Sequence, residues 1–167
     1  MPDEKFKVIA EWFYLVILEM TYLKGFSNDP EKISQLLQDS ISPSVVKEAL
    51  QFLLGLGLLE KTKKGTYLKS TKKHLETASS SSAIHHHQLQ MMEKAREALK
   101  TPRPGRQKFI TQTLTIRKAD LPRLLKLVSG LQNDLMKIAV KEQGLGDATY
   151  QVNLQLFSLA EERSVSV

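Results

Sequence analysis

Three consecutive histidines, His85, His86 and His87, are the residues of this chain that most invite a chemical reading, because imidazole serves both as metal ligand and as proton carrier. Their spacing argues against a site. Neighbouring positions on a helix point about 100° apart, whereas two histidines that share a metal from one helix need a separation of three or four. His74 lies too far along the chain to complete a set by spacing. The chain has no cysteine, which excludes disulfides, thiolate metal sites and cysteine nucleophiles. Gly55-Leu56-Gly57 and Gly144-Leu145-Gly146 each lack the third glycine of a phosphate-cradling loop, and the first follows a helix pattern rather than a strand. Glu161-Glu162 and Asp3-Glu4 sit at the two ends and make no paired-carboxylate site, and Ser79 to Ser82 lie in a low-complexity run. No catalytic residue, metal site or cofactor is expected, and the chain does not read as an enzyme.

The cations are more informative. Of a net charge of +6, much is concentrated: Lys61, Lys63, Lys64, Lys69, Lys72 and Lys73 fall within thirteen residues, and Lys100, Arg103, Arg106 and Lys108 surround Pro102 and Pro104. Lysines so placed can neutralise phosphates, which gives salt-dependent affinity without sequence readout.

The elements around the first cluster say what it sits on. Ser42 is a helix cap and Pro43 suits a first helical position. Val45, Val46, Ala49, Leu50, Leu53 and Leu54 then recur at helical spacing until Gly55 and Gly57 end the run. Leu58-Leu59 leads into a strand, and Lys61-Thr-Lys-Lys-Gly65 reads as a basic hairpin turn before Thr66-Tyr67-Leu68. Upstream, Phe6 to Leu23 is apolar on most of its circumference and is expected as one helix. Asn28-Asp29-Pro30 opens a second helix, Glu31 to Leu37, with Asp39-Ser40-Ile41 as the turn into the third. Helix, helix, helix and basic hairpin in this order spell a winged helix-turn-helix, which lays one helix in a DNA groove and a hairpin on the adjacent backbone. The outward positions of the third helix are Ser44, Lys47, Glu48 and Gln51. Ser44, Lys47 and Gln51, with Lys61, Lys63, Lys64 and Lys69 of the wing, are the expected contacts to duplex DNA. No arginine is present on that helix to take guanine, and Glu48 would repel phosphate. A winged domain that meets protein rather than DNA is therefore the alternative.

Thr77 to Ser82 reads as a linker, and Ala83 to Lys100 as a helix with Ile84, His87, Met91, Met92, Ala95, Ala98 and Leu99 on its apolar side. Gln107 to Ile116 alternates like a strand, and so does Tyr150 to Leu159. Between them an amphipathic helix starts near Asp120, with Leu121, Leu124, Leu125, Val128, Leu131, Leu135 and Ile138 as its stripe and Gly144 to Asp147 as its end. Two strands and one helix cannot cover both faces of a sheet. This third therefore needs a partner, which could be another subunit, the winged domain or the helix from Ala83; Val152, Leu154 and Leu156 are expected in a homodimer interface. The apolar run Trp12 to Leu18 is too short to cross a bilayer, and Met1-Pro-Asp-Glu is no secretory signal, so a cytoplasmic protein without a membrane partner is expected.

Trp12-Phe-Tyr, Glu19 to Pro30, Lys47 to Lys61, Gln90-Met-Met-Glu with Ala95 to Leu99, and Tyr150 to Leu159 occur in an order that resembles a paralogous family of uncharacterised bacterial transcription regulators from predatory and fibre-degrading species. The shared region of that family is a domain of unknown function. The resemblance implies a further N-terminal helix-turn-helix segment in relatives, with this chain matching their C-terminal region. It transfers no catalytic residue. The expected class is α+β, a winged helix-turn-helix over 1–76, a linker and connecting helix over 77–104, and a strand-helix-strand unit for dimerisation over 105–167.

Overall fold

The computed structural model describes residues 2–72 and 81–160. Most of the expected Thr77 to Ser82 linker, together with Lys73, His74, Glu161 and Glu162, lies outside them. The class is α+β, six α-helices and one two-stranded antiparallel sheet among the described residues.

The first departure from expectation comes at the N-terminus. Phe6 to Leu23 is not one helix but two, α1 (Pro2–Ala10) and α2 (Trp12–Met20), because Glu11 is extended at φ −90°, ψ 117°. A third helix holds the break open: the Gln90 side chain accepts from the Trp12 backbone N–H at 2.9 Å and donates to the Glu11 carboxylate at 3.2 Å. One amide side chain thus satisfies the donor freed by the interruption, which would otherwise cost about 1–3 kcal/mol if buried unpaired. The apolar pattern could not show this, since both halves keep helical spacing.

Helix α3 (Pro30–Leu36) starts where Asp29 accepts from the Glu31 N–H, and α4 (Pro43–Gly55) where Ser42 Oγ accepts from Val45 N–H at 3.4 Å, each with proline in the first turn. Both caps follow the sequence reading, with α3 shifted by one residue. Strands β1 (Leu59–Lys61) and β2 (Tyr67–Lys69) pair with Lys61 opposite Tyr67, and Gly65 supplies the left-handed turn residue at φ +84°. Val8, Tyr14, Ile17, Leu18, Met20, Ile33, Val46, Ala49, Leu50, Leu53, Leu58 and Leu59 form one buried core shared by these elements. Trp12 is half-buried with the Lys94 ammonium 4.6 Å from its ring centre, and Tyr14 is buried, so the aromatic triplet is packing material.

Helix α5 (Ser81–Lys100) lies against α1 and α2. Ala83 and Met91 are buried there and His87 is half-buried, but Ile84, Met92 and Leu99 of the expected stripe are exposed. Gln107 finishes the helix by donating to the Ala98 and Thr101 carbonyls.

Beyond this point the strand-helix-strand expectation needs correction. Gln107 to Ile116 and Tyr150 to Leu159 are not strands, for neither has a ladder partner among the described residues. Alternating β-branched residues bias a backbone toward extension, but a strand is completed by the donors and acceptors of a neighbour. Helix α6 (Leu121–Ile138) begins as expected, with Pro122 in its first turn, and ends at Ile138, well before Gly144. It has no buried residue. The chain then returns: Lys24 N–H donates to Gly146 O at 2.8 Å and Gly146 N–H to Tyr22 O at 2.9 Å, with Lys24 and Asp147 paired at 2.8 Å. Asn153 donates to the Met91 carbonyl of α5. No described helix is long and apolar enough to cross a membrane.

Candidate nucleic-acid interface

Helix α4 carries two faces set by its period. Val46, Ala49, Leu50 and Leu53 are at most 4 % exposed, and Ser44, Lys47, Glu48 and Gln51, on the opposite side, are all exposed. Its orientation depends on the turn from α3, where Gln38 and Asp39 both adopt left-handed backbone at φ 56° and 54°. Such residues are uncommon outside glycine and persist only where their surroundings hold them. Here Asp39 N–H donates to Ser34 O at 2.9 Å, and the buried Ser34 hydroxyl donates to Ile41 O at 2.7 Å. Arg103, from the turn after α5, donates to the Gln38 side chain at 2.9 Å.

The hairpin is positioned by a residue that sequence reasoning took only for part of a helix start. Asn28 accepts from Tyr67 N–H and donates to Gly65 O, both at 2.8 Å, so one side chain clamps the turn to the segment before α3. Thr21, buried, accepts from Lys69 N–H at 3.2 Å and fixes the other end. An Asn two residues before a proline helix start signals a turn; its second partner forty residues away leaves no local trace.

On this frame Lys61, Lys63 and Lys64 are exposed at and beside the hairpin tip. Lys61 and Lys64 line a shallow groove with Phe26, Asn28, Asp29 and Thr66. Lys69 differs from the other expected contacts: it is half-buried and its ammonium is engaged by the Glu19 carboxylate, so its charge is already balanced. Glu60 likewise accepts from the Ser70 hydroxyl and points its charge along the hairpin base. Of the expected contacts, Lys47, Lys61, Lys63 and Lys64 are the cations without an acidic partner among the described residues, with Ser44 and Gln51 as neutral hydrogen-bonding groups. Val152, Leu154 and Leu156, the expected dimer contacts, lie in the irregular segment after Gly146 and are each 45–52 % exposed.

The histidines diverge. His85 and His86 are exposed, the latter 2.9 Å from Gln90 and 3.8 Å from Glu11, and His87 turns toward α1. Burial lowers the His87 pKa from its ordinary 6.5, opposed by a hydrogen bond to the Ile9 backbone, and its Nδ1 is buried without a hydrogen-bond partner among the described residues. Among the described residues no three His, Asp or Glu side chains converge as a metal site would need.

The chain belongs to the family described as a domain of unknown function, DUF4423, whose profile matches residues 1–159. No curated protein and no solved structure matches it.

Proposed function

We propose that α1 to β2 form a winged helix-turn-helix that binds duplex DNA, and that the chain is a cytoplasmic transcription regulator or part of one. In this reading α4 enters the major groove with Ser44, Lys47 and Gln51 toward base edges, and Lys61, Lys63 and Lys64 lie on phosphates. The observation that carries the reading is the two-faced α4: its apolar side closes the core and its polar side stands open, and the hairpin that follows it bears three exposed lysines without an acidic partner among the described residues. The reading assigns no catalysis and no cofactor.

A second reading is favoured by charge. Residues 1–99 hold thirteen basic against twelve acidic side chains, and Glu48 shares the open face of α4 with the exposed, apolar Val45. A surface so nearly neutral also suits a protein partner. One titration separates the two. Binding of a generic duplex, followed by fluorescence anisotropy against salt, should show a linear log–log slope. Lys63→Ala with Lys64→Ala should shrink that slope by roughly two units, at about 0.9 per phosphate contact, equally for all sequences. Absence of duplex binding at low salt would overturn the DNA reading in favour of the protein-interaction module.

A further inference from the structure

The C-terminal arm, residues 107–159, keeps its apolar residues outside. Every hydrophobic residue in the buried core of the described chain precedes position 92, whereas eighteen of the twenty-five large hydrophobics that are exposed follow position 108. Single exposed apolar residues are ordinary, but a continuous arm of them is not. At roughly 100 Å² of exposed surface for each such side chain, the arm presents on the order of 1,500 Å². The largest apolar patch on a stable monomer is about 300–600 Å², and an obligate homodimer buries about 2,000–5,000 Å² over both subunits. The arm has the second scale.

Its chemistry indicates what covers it. Phe109 to Ile116 and Tyr150 to Ala160 contain no charged residue. Edge strands that must stay single are guarded by lysine, proline or inward charges, and these two extended segments have none of those guards. They do not pair with one another: the first leaves from Gln107 at the end of α5, the second is tied to the Met91 carbonyl, and neither has a ladder partner among the described residues. Between them, α6 exposes Leu121, Leu125 and Leu131 on one side and places Arg123, Lys126, Asp134 and Lys137 on the other. A helix with one wet face and one dry face, attached to two unguarded segments of strand-like sequence, is half of a two-layer unit. Two copies contribute four strands and two helices, which is enough to close it.

We propose that this arm docks on the same arm of a second copy of the chain, with segments 107–116 and 150–158 pairing between chains in one sheet and the two α6 stripes covering it. A two-fold pairing makes every contact twice and leaves the charged faces of α6 outside. The inference is independent of the DNA reading, since it concerns the face of the molecule made by the arm alone.

Light scattering on the eluting full chain should give twice 18.9 kDa. Hydrogen exchange should find the amides of 107–116 and 150–158 protected, and dilution into the monomer range should remove that protection while the α2 and α4 amides keep theirs. Leu154→Asp with Leu156→Asp should yield a monomer whose single tryptophan, Trp12, still reports a folded core. If that variant is insoluble, the native absence of cysteine allows a second route. Pairwise cysteine variants drawn from Thr111, Thr113 and Thr115 against Gln151, Asn153 and Gln155 should include one that oxidises to a covalent dimer. A monomer at high concentration, a dimer whose arm amides exchange at solvent rates, or no disulfide dimer from any of these pairs would each overturn the proposal. So would flotation of the chain as a monomer with anionic phospholipid vesicles, which would make α6 a membrane-surface helix instead.

Discussion

The half of the chain up to Lys100 and the arm beyond it use the same apolar alphabet and differ in where the complementary surface lies. Helices α4 and α6 make the comparison sharp. Both follow a cap or turn with proline in the first turn, and both carry leucine and valine at helical spacing. Val46, Leu50 and Leu53 of α4 meet α3, β1 and the aromatic residues of α2 and are almost wholly buried; the stripe of α6 meets no comparable surface, and only Leu124, Val128 and Leu135 reach even partial cover. Amphipathicity states that a helix needs a partner. It does not state whether the partner is in the same chain.

The strongest way to break this contrast is to cut the same side chain on each helix. Leu53→Ala should cost about 2–5 kcal/mol in urea unfolding, since the side chain is fully enclosed and the site can collapse only in part. Leu131→Ala, at 48 % exposure, should leave the unfolding of the α1–α5 core within about 0.5 kcal/mol when measured at concentrations too low for association. Equal losses would mean that the arm is integral to the core.

A smaller effect is expected where the two regions touch. A Cβ on Gly146 would lie 3.1 Å from the Tyr22 carbonyl oxygen, against backbone that cannot easily move. Gly146→Val should break the pair of backbone hydrogen bonds to Tyr22 and Lys24, at about 1–3 kcal/mol. Amide exchange should quicken at Lys24 and at position 146, with Ile17 and Leu53 unaffected. Unchanged exchange at Lys24 would show that the arm is not held there.

The smallest effect is electrostatic and belongs to the α1–α5 contact. Burial holds the His87 pKa below 6.5, so the unfolded chain takes up a proton first as pH falls. The stability that neutral His87 contributes is complete above pH 6.5 and declines as pH drops from there through the lowered folded value. His87→Leu should flatten that part of the stability profile. An unaltered slope would place the titration elsewhere.

Much of the first half was legible. The caps at Asp29 and Ser42, the stop at Gly55 to Gly57 and the hairpin at Gly65 are local devices, in which a side chain or a permissive backbone satisfies groups within a few residues. The candidate contacts Ser44, Lys47, Gln51, Lys61, Lys63 and Lys64 could be placed from period alone, because a helix face and a turn tip are consequences of neighbouring positions. Lys69 could not be judged in the same way: Glu19, which takes its charge, is fifty residues earlier. The division of α1 from α2 depends likewise on Gln90, and the hairpin clamp on the long reach of Asn28.

The sequence by itself therefore determined which segments are helical, where most of them begin, the basic hairpin and which helix faces are apolar, since these follow from contacts within one or two turns. Tertiary structure decided which apolar faces are closed within the chain, which lysines remain open, and that the two alternating segments of the arm find no ladder partner among the described residues. Those outcomes rest on partners tens of residues away, and a strand pattern specifies the shape of an edge without specifying the edge it will meet.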